Sequence, residues 1–254
     1  MTRRSAWLAY LVAIGIAEAA LPYAPAATAM IDAAVVVLAL THFGWAQRSP
    51  LAVGEPSIRV LPALALVPLL RLLSMTLPVP SFPPVAWLAI SMGPLLLAII
   101  ASVRLSHMDV IEMGMTRITL DRWTAGAVLL SLPAGLVVGR LAPSQFSVPD
   151  STPMLGLVAL VLVAGAAIPE ELIFRGVLQP LLGDVVGPAA PALVAMLFAA
   201  TYLGSGSTAV VLAMLGIGWG YGLTAARTKS IWGALIGHGV LLLTAVFVAP
   251  ALFT

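Results

Sequence analysis

Runs of roughly 17–25 apolar residues, each long enough to cross ~30 Å of hydrocarbon as a helix, recur from one end of the chain to the other. None alternates apolar and polar residues in the manner of a membrane barrel. With 61% hydrophobic and 9% charged residues among 254 and a mean hydropathy of +1.09, a soluble core and its water-facing shell could not accommodate the sequence. The expectation is an all-α fold: a polytopic integral membrane helical bundle of about eight or nine transmembrane helices. Spans are expected near 6–22, 25–46, 58–77, 84–103, 124–139, 154–175, 188–204, 208–226 and 231–251, leaving no room for a separate soluble domain.

Charge distribution narrows the setting. The net charge is only +2, and the basic residues lie singly in short loops, so nucleic acid is excluded as a partner and the lipid bilayer is the expected one. With a cytoplasmic amino end, Arg48, Arg59, Arg104, Arg117, Arg122, Arg227 and Lys229 all fall in cytoplasmic loops, and Arg140 alone falls outside. That bias supports nine spans and a multi-pass protein of the cell (plasma) membrane with its N-terminus cytoplasmic. Arg3 and Arg4 ahead of an apolar run, with Ala19-Ala20 beyond, also fit a signal peptide; the run is read as a retained first helix. The absence of cysteine removes disulfides, thiolate nucleophiles and cysteine metal sites.

Within this apolar background the stretch Glu170-Glu171-Leu172-Ile173-Phe174-Arg175-Gly176 places three ionisable groups at the expected end of a span. Charge there is costly and is ordinarily functional. The spacing supports two readings: an intramembrane reaction centre, or an inner-interface anchor in which Glu171 and Arg175 pair across one helical turn. Glu18, Asp32 and Arg71 fall at similar depth in the outer part of the bilayer and read as a buried acid–base tie in preference to a transport path. Gly216/Gly220 and Gly218/Gly222 repeat at four-residue spacing; with no preceding strand they mark close helix packing, not a phosphate loop. The proline-rich stretches 78–84 and 141–153 read as stiff external connectors. The segment 104–122 reads as a short amphipathic segment on the inner leaflet.

Three motifs in the carboxyl-terminal part carry a family resemblance: Glu170-Glu171 with Arg175, Phe198-Ala-Ala-Thr-Tyr202, and Ser230-Ile-Trp232 leading to His238. Their order is similar to that of the CPBP family, the intramembrane proteases that include CAAX prenyl-protein endopeptidases and Abi-type immunity proteins. The resemblance covers roughly residues 110–245, including Gly114-Met115-Thr116-Arg117, and divides the chain into amino-terminal helices without family motif (1–105) and a CPBP-like core (106–254). It implies that Glu170 is the general base activating water against a peptide carbonyl. Glu171 and Arg175 would support it, and His238 would bind metal or stabilise the oxyanion.

Two positions depart from the family pattern. Tyr202 stands where Phe-x-x-x-His calls for histidine, and Leu242 where His-x-x-x-Asn calls for asparagine. A tyrosine phenol is a poor zinc ligand and a poor base at neutral pH, and zinc normally needs three protein ligands. Zinc therefore enters only if this altered centre still binds metal through Glu170, Glu171 and His238, and no other cofactor is expected. His42 and His107 read as ordinary interface residues. Two functions follow: a catalytically impaired scaffold or subunit among other membrane protein subunits, or an endopeptidase acting weakly on a prenylated or membrane-anchored peptide. Helix counting from the expected boundaries puts Glu170 and His238 in the cytoplasmic half and Tyr202 roughly a third of the bilayer deeper.

Overall fold

The computed structural model describes residues 6–49, 54–76, 83–142 and 151–253, and among them every regular element is helical. The elements are α1 (Ala6–Ala20), α2 (Pro25–Ala46), α3 (Pro56–Thr76), α4 (Pro84–Leu105), α5 (Arg122–Leu141), α6 (152–186), α7 (Ala190–Ala200), α8 (Thr208–Thr228) and α9 (Trp232–Phe253). Among the described residues seven stretches are long and apolar enough to cross a membrane, one of them being 152–205, whereas α1 is shorter. The all-α polytopic bundle expected from composition is the observed fold. The two proline-rich connectors lie largely outside the described residues.

The bundle is apolar on its outside as well as its inside. Val12 and Ile16 on α1, Met30 and Val37 on α2, Leu97 on α4 and Leu129 on α5 are exposed, as a lipid-facing surface requires. A single buried cluster runs from Trp7 and Ile14 through Leu61 and Leu64 to Phe174, Phe198 and Leu241.

The largest departure from the expected spans concerns α6. It does not stop at residue 175 but continues to Val186, where Gly187 (φ 62°) turns the chain back into the 11-residue α7. The physical reason is that Arg175, expected at the membrane interface, is 1% exposed with its charge met inside the protein. Buried Val177, Leu178, Leu181 and Leu182 carry the apolar face onward. Asp184, near the end of α6, is the residue that reaches a charged end, 3.5 Å from Arg59 at the start of α3, and Arg59 also pairs with Glu112 at 3.3 Å. From that tie Glu170 is roughly 21 Å up α6 and Arg71 roughly 18 Å up α3, at 1.5 Å per residue. The expected offset between Glu170 and Tyr202 disappears once α6 is given its full length.

Segment 106–121 is a series of turns, not an amphipathic helix. Val110, Ile111, Ile118 and Leu120 remain exposed, but the backbone is pinned to the entrance of α9. Ile231 N donates to Gly114 O (3.1 Å), Trp232 Nε1 to Met115 O (2.9 Å) and Ser230 Oγ to Arg117 O (2.5 Å). Two motifs far apart in sequence thus dock as one unit.

Small residues set the helix spacing. Gly218 and Gly222 on α8 do face a close neighbour: a Cβ at Gly218 would lie 2.9 Å from Phe198 and one at Gly222 3.3 Å from Pro191, both on α7. Gly216 and Gly220 face open space, as does Gly126. The closest approach is between α5 and α9, where a Cβ at Gly139 would lie 2.5 Å from Ala249 Cβ and 2.6 Å from the Ala245 carbonyl. Gly139→Leu is therefore expected to cost about 1–3 kcal/mol, read as a lower unfolding midpoint in mild detergent. Gly126→Ala is expected to be neutral or slightly stabilising in the same measurement.

Candidate functional site

The centre is built on one turn of α6. Two π-helical segments, Val163–Ala167 and Leu172–Leu178, bracket the α-helical turn Ile168–Glu171 that carries both acids. Such widened turns occur often at functional sites because they reorient side chains without ending the helix.

Glu171 is fully buried and is the hub. Its Oε1 accepts from Arg175 Nη1 at 3.0 Å and from His238 Nδ1 of α9 at 2.9 Å. A carboxylate paired with a guanidinium can only accept, so Nδ1 carries a proton. Nε2 points toward Glu170, 3.9 Å from its Oε2, beyond direct hydrogen-bond reach. Arg175 Nη2 donates to the Gly218 carbonyl at 2.9 Å, and Gln179 Nε2, one turn on, donates to the Gly222 carbonyl at 2.9 Å. The side-chain-free surface of α8 is what lets these two reach its backbone.

Aromatic rings close the centre. Phe198 lies under Arg175, Cζ to centroid 4.5 Å, and presents its edge relationship to both Tyr202 (5.5 Å) and His238 (5.9 Å). Tyr221 stands 6.1 Å from the His238 ring and shares a 2.7 Å hydrogen bond with Ser131 of α5. Leu242 packs into the apolar core. Of the expected site residues, the structure brings together Glu170, Glu171, Arg175, His238 and Tyr202, whereas Leu242 contributes only packing.

A cavity of about 290 Å³ adjoins this centre, lined by Glu170 and Tyr202 together with Arg71, Trp87 and Ser91. The early helices thus enter the site, which motif reading did not foresee. Arg71 Nε donates to both oxygens of fully buried Glu18 (3.1 and 3.0 Å), its Nη2 donates to Glu18 Oε2 at 2.6 Å, and Nη2 also bonds the Thr201 carbonyl beside Tyr202. Asp32 is fully buried and neither oxygen has a partner among the described residues, so the expected acid–base cluster is a bonded pair with a third acid beside it. Similar depth of Glu18 and Arg71 was visible in the sequence; their adjacency to Glu170 was not, because the end of α6 was misplaced.

The donor set does not suit zinc. Among the described residues no group of three or more His, Cys, Asp or Glu side chains is arranged to hold a metal. Glu171 Oε1 and His238 Nδ1 are spent on each other, and position 202 offers only a phenol. His42 instead lies 3.3 Å from Tyr10 Oη, on the α1–α2 contact.

Residues 152–244 match the family described as Rce1-like, type II CAAX prenyl endopeptidase. Over this segment, which is less than half of the chain, the protein is similar to that CAAX endopeptidase family. The matched stretch begins with α6 and extends into the last helix, so it contains Glu170, Glu171, Arg175, Tyr202, His238 and Leu242. Arg71 and Glu18 lie outside it. No curated protein and no solved structure matches the chain.

Removing Arg71 leaves Glu18 buried and unpaired. Arg71→Ala is expected to cost about 3–5 kcal/mol, and the joint change Glu18→Leu plus Arg71→Leu to recover most of that loss, both measured by thermal unfolding in detergent.

Proposed function

We propose that this CAAX-protease-like membrane protein has lost ordinary peptide hydrolysis and acts as a scaffold or fixed subunit of a membrane protein assembly. One observation carries the reading: the cavity beside Glu170 offers the Tyr202 phenol where the family pattern has a metal-binding imidazole, and its guanidinium, Arg71, is already bound to Glu18. Loss of one oxyanion donor alone costs roughly 10²–10³ in rate. Leu242 removes a second polar position. In this reading 106–254 is the family core and 1–105 an addition that buttresses it, in a cell membrane with the amino end cytoplasmic, where the basic loop residues gather.

A specific observation favours a second reading, endopeptidase activity with Glu170 as base. Its side chain is 20% exposed and faces the cavity, with His238 Nε2 at 3.9 Å. Reconstituted cleavage of prenylated or membrane-anchored peptides separates the two. The scaffold reading expects no cleavage by the parent and none by Glu170→Ala, with any activity arising only in Tyr202→His plus Leu242→Asn. Parent activity that vanishes in Glu170→Ala overturns it.

A further inference from the structure

Glu170 is the acid of the centre for which no hydrogen bond is made among the described residues. The cations around it are committed elsewhere: Arg175 to Glu171 and Gly218, Arg71 to Glu18 and Thr201. With His238 donating through Nδ1, its Nε2 lies 3.9 Å from Glu170 Oε2, too far for a direct hydrogen bond. Arg175 is bonded to Glu171, so a charged Glu170 has no guanidinium of its own in this low-dielectric interior, where an uncompensated charge is expensive.

The cavity supplies the rest of the description. Its 290 Å³ is at the low end of ligand sites, and Leu70, Leu73, Leu88 and Leu95 join Trp87 and Tyr202 on its walls. A carboxylate at the end of an aliphatic and aromatic chamber suits an ammonium on an apolar stem, through an ion pair, charge-assisted hydrogen bonds and ring faces. Its place roughly 21 Å along α6 separates it from the charged end at Arg59 and Asp184.

We propose that this cavity is a binding site for a primary aliphatic ammonium, the side chain of a lysine in a membrane-embedded partner segment, held by Glu170 and capped by Trp87 and Tyr202. An intramembrane lysine needs such a carboxylate, and the stem of four methylenes matches the leucine walls. The inference rests on the scaffold reading, in which Glu170 is not spent on activating water, and names what the scaffold holds.

The test titrates purified protein in neutral detergent with pentylammonium, with pentyltrimethylammonium, which lacks N–H donors, and with pentanol, which lacks charge, following the unfolding midpoint. The expected result is stabilisation by pentylammonium alone, weakened about tenfold or more in Glu170→Gln and unchanged in Glu112→Gln at the charged end. In a second arm, a model transmembrane helix with one central lysine is co-reconstituted beside its norleucine counterpart. Capture of the lysine helix by the parent but not by Glu170→Gln supports the partner segment as the source. Pentylammonium binding without capture of the lysine helix overturns the partner segment and leaves a free amine as the ligand. Equal response to all three small probes, or no response to any, overturns the proposal. Cleavage by the parent alongside ammonium binding would overturn the scaffold reading alone, and an inert parent that ignores pentylammonium would overturn this inference alone.

Discussion

A single buried carboxylate organises this bundle. Glu171 has no water to solvate it, so it must be met by protein, and the two groups that meet it come from its own helix and from the last one. Arg175, once bound there, is free to reach the Gly218 carbonyl and lie over Phe198. Three helices and one aromatic ring are therefore registered by one charge. Arg175 Nε and Glu171 Oε2 have no partner among the described residues, so the network is held by strong bonds and not by complete satisfaction. Removing Glu171 would take from buried Arg175 and His238 the acceptor they share, which is the costly event in such networks.

Register between the early helices and the core comes from a second set of ties at different depths. The Arg59–Asp184 pair fixes α3 against α6 at the charged end, while Arg71 fixes α3 against α1 and the turn after α7 some 18 Å further up. Arg59 and Ser106 reinforce the lower tie through reciprocal bonds, Arg59 Nε to the Ser106 carbonyl at 3.0 Å and Ser106 Oγ to the Arg59 carbonyl at 2.8 Å. Between these levels the cavity beside Glu170 is walled by helices from both halves of the chain. The matched segment supplies the acid, and helices outside it supply much of the chamber.

The fold class was legible because hydrocarbon thickness dictates run length, and the apolar runs have that length. The Glu171–Arg175 pair was legible from four-residue spacing alone. The length of α6 was not. Charges ordinarily mark the water boundary, and here Arg175 is buried because Gly218 exposes a carbonyl and Phe198 a ring, partners more than twenty residues away. The same local signal, Gly218 and Gly222, correctly indicated close packing. Gly216 and Gly220 carry an identical spacing and face open space, since a four-residue repeat defines a ridge but not which ridge meets a neighbour. Segment 106–121 has amphipathic content, yet its backbone bonds to residues 230–232, a long-range pairing that no local pattern encodes.

Glu171 must bind His238 strongly enough to hold the last helix against the acid turn. A double-mutant cycle of Glu171→Gln and His238→Gln, read by reversible unfolding in detergent, measures that link directly. A coupling of about 1.5–3 kcal/mol, the value for a hydrogen bond to a charged group, is predicted. Additive effects, with coupling within about 0.5 kcal/mol of zero, would contradict it.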